Sequence, residues 1–369
     1  MESETSVTVL MPVYNAGKYL RGAIESILGQ THADFEFLII NDGSTDGSAD
    51  VARSYNDSRI RFVENERNMG MVATLNRGLA LATHELVARM DGDDISHPER
   101  LARQVERFCA PGGEKLALLG TMCRQIGPEG ELIYMGAMEK PIDPLAVAWY
   151  QLFDNSFIHT SVMFRKSVVL GELGGYRWSD ICADYDLWMR MIEKGLELRS
   201  LPQILVDYRN HPTSIIGEVR AEKKEKLETA ARERREVAIR CAASVAGWTI
   251  TGDEADILQG FIHGFDPQKA ARFIATFETA LQRFRAHNAQ AAGIENFRLV
   301  VAEQYCTVAY KILAEDRALA ARILMKGIGF HTPVALRLPW GRIASLALFG
   351  EKARKMFGKA RAAARKALD

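Results

Sequence analysis

Between residues 6 and 100 the chain alternates strand-like and helix-like runs at short intervals, and this alternation limits the folds open to it. Val7-Thr-Val-Leu-Met11 reads as a strand, and Tyr19 to Leu28 places apolar residues at helical spacing. Phe35-Glu-Phe-Leu-Ile-Ile40 is a second strand, running into the turn formers Asn41-Asp-Gly-Ser-Thr-Asp-Gly47 before a short helix over 48–54. Strands are predicted over 59–64 and 85–90, with a helix over 72–82 between them. Alternation of this kind predicts an α/β fold, a mostly parallel sheet flanked by helices.

Open α/β sheets bind ligands beyond the carboxyl ends of their strands. Pro12-Val-Tyr-Asn15, Asn41 to Asp46 and Asp91-Gly-Asp-Asp94 each follow a predicted strand, so three polar clusters are expected to meet at one cleft. Side chains alternate along extended backbone, which points Asp91 and Asp93 the same way. Their repulsion would be offset by a divalent cation, Mg²⁺ or Mn²⁺, completed by phosphate oxygens. The plainer reading is an acidic turn. Asp42 is either a turn residue capping the next helix or a carboxylate accepting N–H bonds from a nucleobase. Tyr14 either covers the sheet edge or stacks on a base.

Farther along, Gly174-Gly-Tyr-Arg177 precedes Ala183-Asp-Tyr-Asp-Leu-Trp188, where Leu187 and Trp188 can anchor a helix whose first turn carries Asp184. A helix-start charge is the bland account of that aspartate. In Tyr208-Arg-Asn-His-Pro-Thr-Ser214, Arg209 and His211 face either a diphosphate or solvent. From about residue 218 the chain turns rich in Glu, Lys, Arg and Ala, and helices are expected around 253–264, 267–288 and 294–326. The division expected is an α/β region over 1–217 and an all-helical region over 218–369.

Formal net charge is zero, so the whole chain makes no case for a nucleic-acid partner. Five cysteines without C-x-x-C pairing read as free thiols in a reducing compartment. Neither a signal-peptide pattern nor a run of 18 apolar residues occurs, so a cytoplasmic protein is expected. Residues 337–369 hold nine Lys or Arg against Glu351 and Asp369, a net charge of +7, interleaved with Trp340, Phe349 and Phe357. That segment reads either as a solvated terminal helix or as a basic amphipathic surface for the anionic inner face of the plasma membrane.

Taken in order, Met11-Pro-Val-Tyr-Asn15, Asn41-Asp-Gly-Ser-Thr-Asp46, Asn68-x-Gly70, Asp91-Gly-Asp-Asp94, Asp184-Tyr-Asp-Leu-Trp188 and Tyr208-Arg-x-His211 resemble the inverting family-2 glycosyltransferases with the GT-A fold. The resemblance runs from Val7 to Ser214, a little over half of the chain. It implies that Pro12, Tyr14, Asn15 and Asp42 line the base and ribose pocket of a nucleotide sugar, a UDP-sugar before dTDP- or GDP-sugars. It implies that Asp91 contacts the ribose or a metal-bound water and that Asp93 coordinates Mn²⁺ or Mg²⁺ on the diphosphate. Arg209 and His211 would hold the leaving diphosphate, His211 on its metal side. Asp184 would be the general base, with Asp186 the other candidate. The acceptor would be a saccharide or lipid-linked saccharide, in bacterial surface polysaccharide synthesis. The family commonly has Glu-Asp where this chain has Ala183-Asp184. That departure leaves a nucleotide-sugar-binding protein without activity as an alternative. A sugar-nucleotide nucleotidyltransferase is the other, although Met11 to Gly17 lacks the Gly-rich basic loop it would carry. No G-x-G-x-x-G follows the first strand, which disfavours a dinucleotide-dependent oxidoreductase.

Overall fold

The computed structural model describes residues 5–177, 181–212, 214, 224–263, 267–313 and 315–331, in two compact units, Met1–Val245 and Ala246–Asp369. In the first unit, strands β1 (Val7–Val13), β2 (Phe35–Asn41), β3 (Ile60–Glu64) and β4 (Leu86–Arg89) alternate with helices α1 (Gly17–Leu28), α2 (Ser48–Arg53) and α3 (Met71–Leu81). β1 pairs in parallel with β2 and β4, and β2 with β3. Val7, Val9, Met11 and Val13 join one core and Leu10 the other, as expected of a strand covered on both faces. α3 lies so close to β1 that a Cβ at Gly78 would overlap the fully buried Leu10 side chain. These elements match the alternation read from the sequence to within a residue or two at their ends.

The sheet then takes on antiparallel members. β5 (Ile95–Ser96), α4 (Arg100–Cys109), β6 (Leu116–Ile126), β7 (Leu132–Met138), α5 (Pro144–Tyr150), β8 (Met163–Arg165), α6 (Ala183–Glu193) and β9 (Glu197–Arg209) follow along the chain. The strand order is β3-β2-β1-β4-β8-β6-β9-β5, with β7 on β6. β8 runs antiparallel to β4 and β6, whereas β9 is parallel to β6. α4 buries Leu101, Val105 and Phe108, an i, i+4, i+7 stripe laid on the first core. The antiparallel β5–β9 pair, Ile95 opposite Asp207, brings the residues after β9 beside Asp91–Asp94.

Helix α7 (Lys224–Ala246) runs to the end of this unit, and Arg240 on it pairs with Asp186 at 2.8 Å and with Glu193, both on α6. The division into compact units falls at 245/246. The second unit holds α8 (Gly252–His263), α9 (Ala270–His287), α10 (Glu295–Ile312) and α11 (Arg317–Phe330). Phe273, Phe277 and Phe284 of α9 share a face, and Phe284 stacks on Phe297 of α10 at 5.2 Å. The single helix expected over 294–326 is two. Asp316 opens the second by accepting from the Leu319 N–H at 2.8 Å, an N-cap that ends any continuous helix.

All five cysteines are free thiols. Among the described residues no helix is long and apolar enough to cross a membrane. The basic segment 337–369 lies outside the described residues.

Candidate active site

The ends of β1, β2 and β4 open on one cavity of about 330 Å³. Pro12, Tyr14 and Asn15 line it from β1, Asp42 from β2, and Asp91 and Asp93 from β4, with His211 and Ser214 closing it from beyond β9. The three polar clusters do converge.

Short side-chain clasps hold the loops in place. Asn15 has a φ of 50°, a left-handed conformation that asparagine tolerates better than most residues. Its backbone N–H donates to Ser44 Oγ at 3.0 Å, and its Oδ1 accepts from the Thr45 N–H at 2.9 Å. Asp46 accepts from the N–H groups of Gly17 and Ser48 at 2.9 and 3.0 Å. The N-cap of α2 is Gly47, and it is Asp46, not Asp42, that accepts from the helix's first N–H. The Asp42 carboxylate crosses the sheet instead, accepting from the N–H groups of Met69 and Gly70 at 2.9 and 3.0 Å and from Asn65 Nδ2 at 2.6 Å. Gly70 needs its φ of 87° there, which favours glycine. Asp42 thus shapes the loop into α3 that forms the cavity wall, while itself lining that cavity.

The acidic cluster divides three ways. Asp91 Oδ1 accepts from Arg89 Nη2 at 2.6 Å, and the Asp91 N–H donates to Thr160 Oγ1 at 3.1 Å. Asp93 Oδ2 meets His211 Nε2 at 2.8 Å, and the imidazole packs on the Tyr19 ring with centroids 4.8 Å apart. Asp94 is buried and accepts from the Arg209 N–H at 2.7 Å. Burial, with Asp93 and Asp91 beside it, pushes its carboxyl well above the usual carboxylate range. Asp94 is an anchor between the acidic loop and β9. Arg209 completes that anchor, its guanidinium donating to the carbonyls of Asp93 (2.7 Å), Gly127 (3.0 Å) and Pro128 (3.3 Å). It does not line the cavity.

Among the described residues no group of three or more His, Cys, Asp or Glu forms a metal cage. Asp93 and His211 are adjacent and both face the cavity. One carboxylate oxygen and one imidazole nitrogen suit a divalent ion whose other positions go to phosphate oxygens and water. The donor set fits a cation shared with a diphosphate.

Asp184 occupies the first turn of α6, outside the cavity lining. Its Oδ1 accepts from the Tyr185 N–H and its Oδ2 from Asn155 Nδ2, both at 2.7 Å. Enclosure pushes the carboxyl up to about 6, against the pull of those two bonds and of the Arg89 charge. The same guanidinium acts on Asp91 and on His159, which it and burial together hold neutral. His159 Nε2 lies 2.9 Å from the Tyr176 hydroxyl. Asn76 clasps the Tyr176 backbone on both sides, accepting from its N–H and donating to its carbonyl, each at 2.8 Å. Arg89 therefore links the donor-side aspartate electrostatically to the one on α6.

Asp186 is different. It is fully buried and ion-paired with Arg177, Arg190 and Arg240, which hold its carboxyl below the usual range. A carboxylate caged this way is a poor proton acceptor. Ala183 is buried in the second core with Leu187 and Trp188, so that position serves packing here.

The sequence assigns no role to Arg89, Asn155, His159, Thr160 or Tyr176, although Tyr176 lies in the Gly174-Gly-Tyr-Arg177 stretch. Arg89 did carry a signal, as a charged residue ending the buried strand Leu86-Val-Ala-Arg89. Asn155 and Thr160 carried none, because their roles depend on long-range pairing.

A cavity at the strand ends carries a carboxylate–imidazole pair, and the Asp184 carboxylate on α6 lies outside its lining. The chain belongs to the glycosyl transferase family 2 and is a glycosyltransferase. The family pattern described as "Glycosyl transferase family 2" matches residues 8–128. The chain is 33% identical over 217 residues to the O-antigen biosynthesis glycosyltransferase WbnJ of Escherichia coli, covering 56% of this chain and 81% of that protein. To the amylovoran biosynthesis glycosyltransferase AmsE of Erwinia amylovora it is 31% identical over 206 residues, covering 55% and 75%. The crystal structure of S. aureus TarS 1-349 in complex with UDP-GlcNAc shares the fold, with a TM-score of 0.51 and 16% identity over 91% of this chain and 92% of that one.

Proposed function

We propose that the protein moves a sugar, with inversion, from a nucleotide-diphosphate sugar to a hydroxyl of a saccharide or lipid-linked saccharide during surface polysaccharide synthesis. One observation carries this reading: the donor-side cavity, with Asp42, Asp91, Asp93 and His211, is separate from an enclosed carboxylate, Asp184, held at about 6. Two carboxylate environments mean two tasks. The names of WbnJ and AmsE support the polysaccharide setting, and the UDP-GlcNAc bound by TarS supports a UDP-sugar.

In this scheme Pro12, Tyr14, Asn15 and Asp42 hold the base and ribose, and Asp91 orients the ribose from beneath. Asp93 and His211 would hold Mn²⁺ or Mg²⁺, which supplies positive charge to the diphosphate. Asp184 takes the proton from the acceptor hydroxyl as its oxygen bonds the anomeric carbon. The bond from that carbon to the diphosphate breaks at the same time, and the nucleoside diphosphate leaves with the electron pair. One base and one displacement need no covalent intermediate. Arg209 acts indirectly, fixing the Asp93 backbone. The +7 charge of residues 337–369 supports a cytoplasmic enzyme resting on anionic lipid.

A panel of UDP-, dTDP- and GDP-sugars tests the reading, with Mn²⁺ or Mg²⁺ and anionic or neutral vesicles present. The expected result is saturable binding of one donor class and co-sedimentation with the anionic vesicles alone. Binding of no nucleotide sugar would overturn the donor assignment, and equal sedimentation with both vesicles the membrane assignment.

A further inference from the structure

Resting on the reading of Asp184 as the base, we propose that Asn155 is a positioning residue for transfer, holding the Asp184 carboxylate in one orientation and in its charged form, with Lys140 fixing Asn155 in turn. The geometry is specific. Asp184 Oδ1 is tied to its own helix through the Tyr185 N–H, whereas Oδ2 is held by Asn155 Nδ2 at 2.7 Å. The amide cannot present its oxygen to Asp184, because Asn155 Oδ1 already accepts from the Phe157 N–H at 3.2 Å. A donor is therefore locked against the carboxylate, and a donated bond favours the ionised form.

Lys140 sets the backbone of this asparagine. Its ammonium donates to the Asn155 carbonyl at 2.6 Å and sits 3.4 Å from Asp154 Oδ2 and 5.1 Å from the Tyr150 ring centre. A lysine with only 12% of its side chain exposed is costly to place, and the proposed transfer step does not otherwise use it. Tyr150, Asp154 and Asp184 keep it protonated against the effect of burial.

Among the described residues, the groups that face Asp184 include the Arg89 guanidinium from β4, Lys140 before α5, Tyr176 after the π-helical turn at Ser167–Glu172, and Cys182 just ahead of α6. Tyr176 and Cys182 are pushed up by burial and stay neutral near pH 6, and Lys140 stays charged. None of these three competes with Asp184 for a proton there.

The test is the pH dependence of kcat/KM for transfer in the full-length protein, wild type against Asn155→Ala and Asn155→Asp. Loss of a hydrogen bond to a charged group moves the acid limb up by about one pH unit, a loss of about tenfold in rate on that limb. Asn155→Asp keeps the shape and the bond from Phe157 while setting a carboxylate against Asp184, so its limb moves at least as far. Donor affinity stays at the wild-type value in both. If Asn155→Ala fails to fold, the isosteric Asn155→Asp decides alone. Folded variants whose acid limb coincides with the wild type would overturn the proposal. Asp184→Asn, assayed alongside, separates the two ideas. Wild-type transfer by that variant removes the base reading itself, whereas its inactivity with unmoved Asn155 profiles removes only the role of Asn155.

Discussion

Asp184→Asn is expected to lower sugar transfer by about 10²–10⁴-fold while leaving donor binding at the wild-type level. The substitution keeps the side chain's shape and its Oδ1-side acceptor but removes the ability to take a proton. Because Asp184 lies outside the cavity that Asp42, Asp91 and Asp93 line, nucleotide contacts survive. The variant should therefore lose kcat and keep its donor dissociation constant by calorimetric titration. The pH dependence carries the same signature. Enclosure places the Asp184 carboxyl at about 6, and only the ionised form accepts the acceptor's proton. Wild-type kcat/KM should then be level above that value and fall tenfold per pH unit below it, and any residual activity of Asp184→Asn should lack this limb. A variant that transfers sugar at the wild-type rate would show that the proton goes elsewhere.

Asp93→Ala should fail at a different stage. In the proposed scheme the Asp93 carboxylate and His211 imidazole, 2.8 Å apart, would hold a divalent ion against the diphosphate. A bound ion contributes several kcal/mol of charge stabilisation, which at about 1.4 kcal/mol per decade amounts to 10²-fold or more in kcat/KM. The loss should fall on donor binding as well as turnover. Donor affinity in Asp93→Ala should no longer respond to added Mn²⁺ or Mg²⁺, whereas wild-type affinity rises with metal. The backbone of the acidic loop should survive, since Arg209 holds the Asp93 carbonyl and Asp94 rather than the Asp93 side chain. Retained metal dependence in a folded Asp93→Ala would place the ion elsewhere.

The first half of the fold was legible because its signals are local. Apolar runs of strand length alternate with helical spacing up to Asp91, and turn formers mark each boundary. The same locality explains how the strand-end clusters could be placed in one cleft before any contact was known. Beyond residue 100 the signals weaken. β8 is three residues long, and its antiparallel seat between β4 and β6 comes from long-range pairing that leaves no periodic trace. α4 could have been read from Leu101, Val105 and Phe108, and the break at Asp316 from its N-cap chemistry.

Within the site, residue type conveyed chemistry better than it conveyed partners. By sequence Asp42 reads either as a helix cap or as a ligand contact. It caps the turn into α3 rather than α2, and it lines the cavity as well. Asp184 and Asp186 share a helix turn and a residue type. Arg190, four residues on from Asp186 along the same helix, is a partner that spacing offers, but Arg177 and Arg240 come from other segments and no spacing rule foretells those two contacts. Asn155 and Lys140 were invisible for the same reason, because their partners are set by the tertiary fold.

The stereochemistry of the product tests the central claim most directly. Proton NMR of the newly formed linkage reports the anomeric configuration through its coupling constant. A single displacement assisted by Asp184 predicts inversion, so an α-configured nucleotide sugar gives a β-linked product. Retention of the donor's configuration would contradict the account, since it requires a second displacement or a nucleophile that the scheme does not contain.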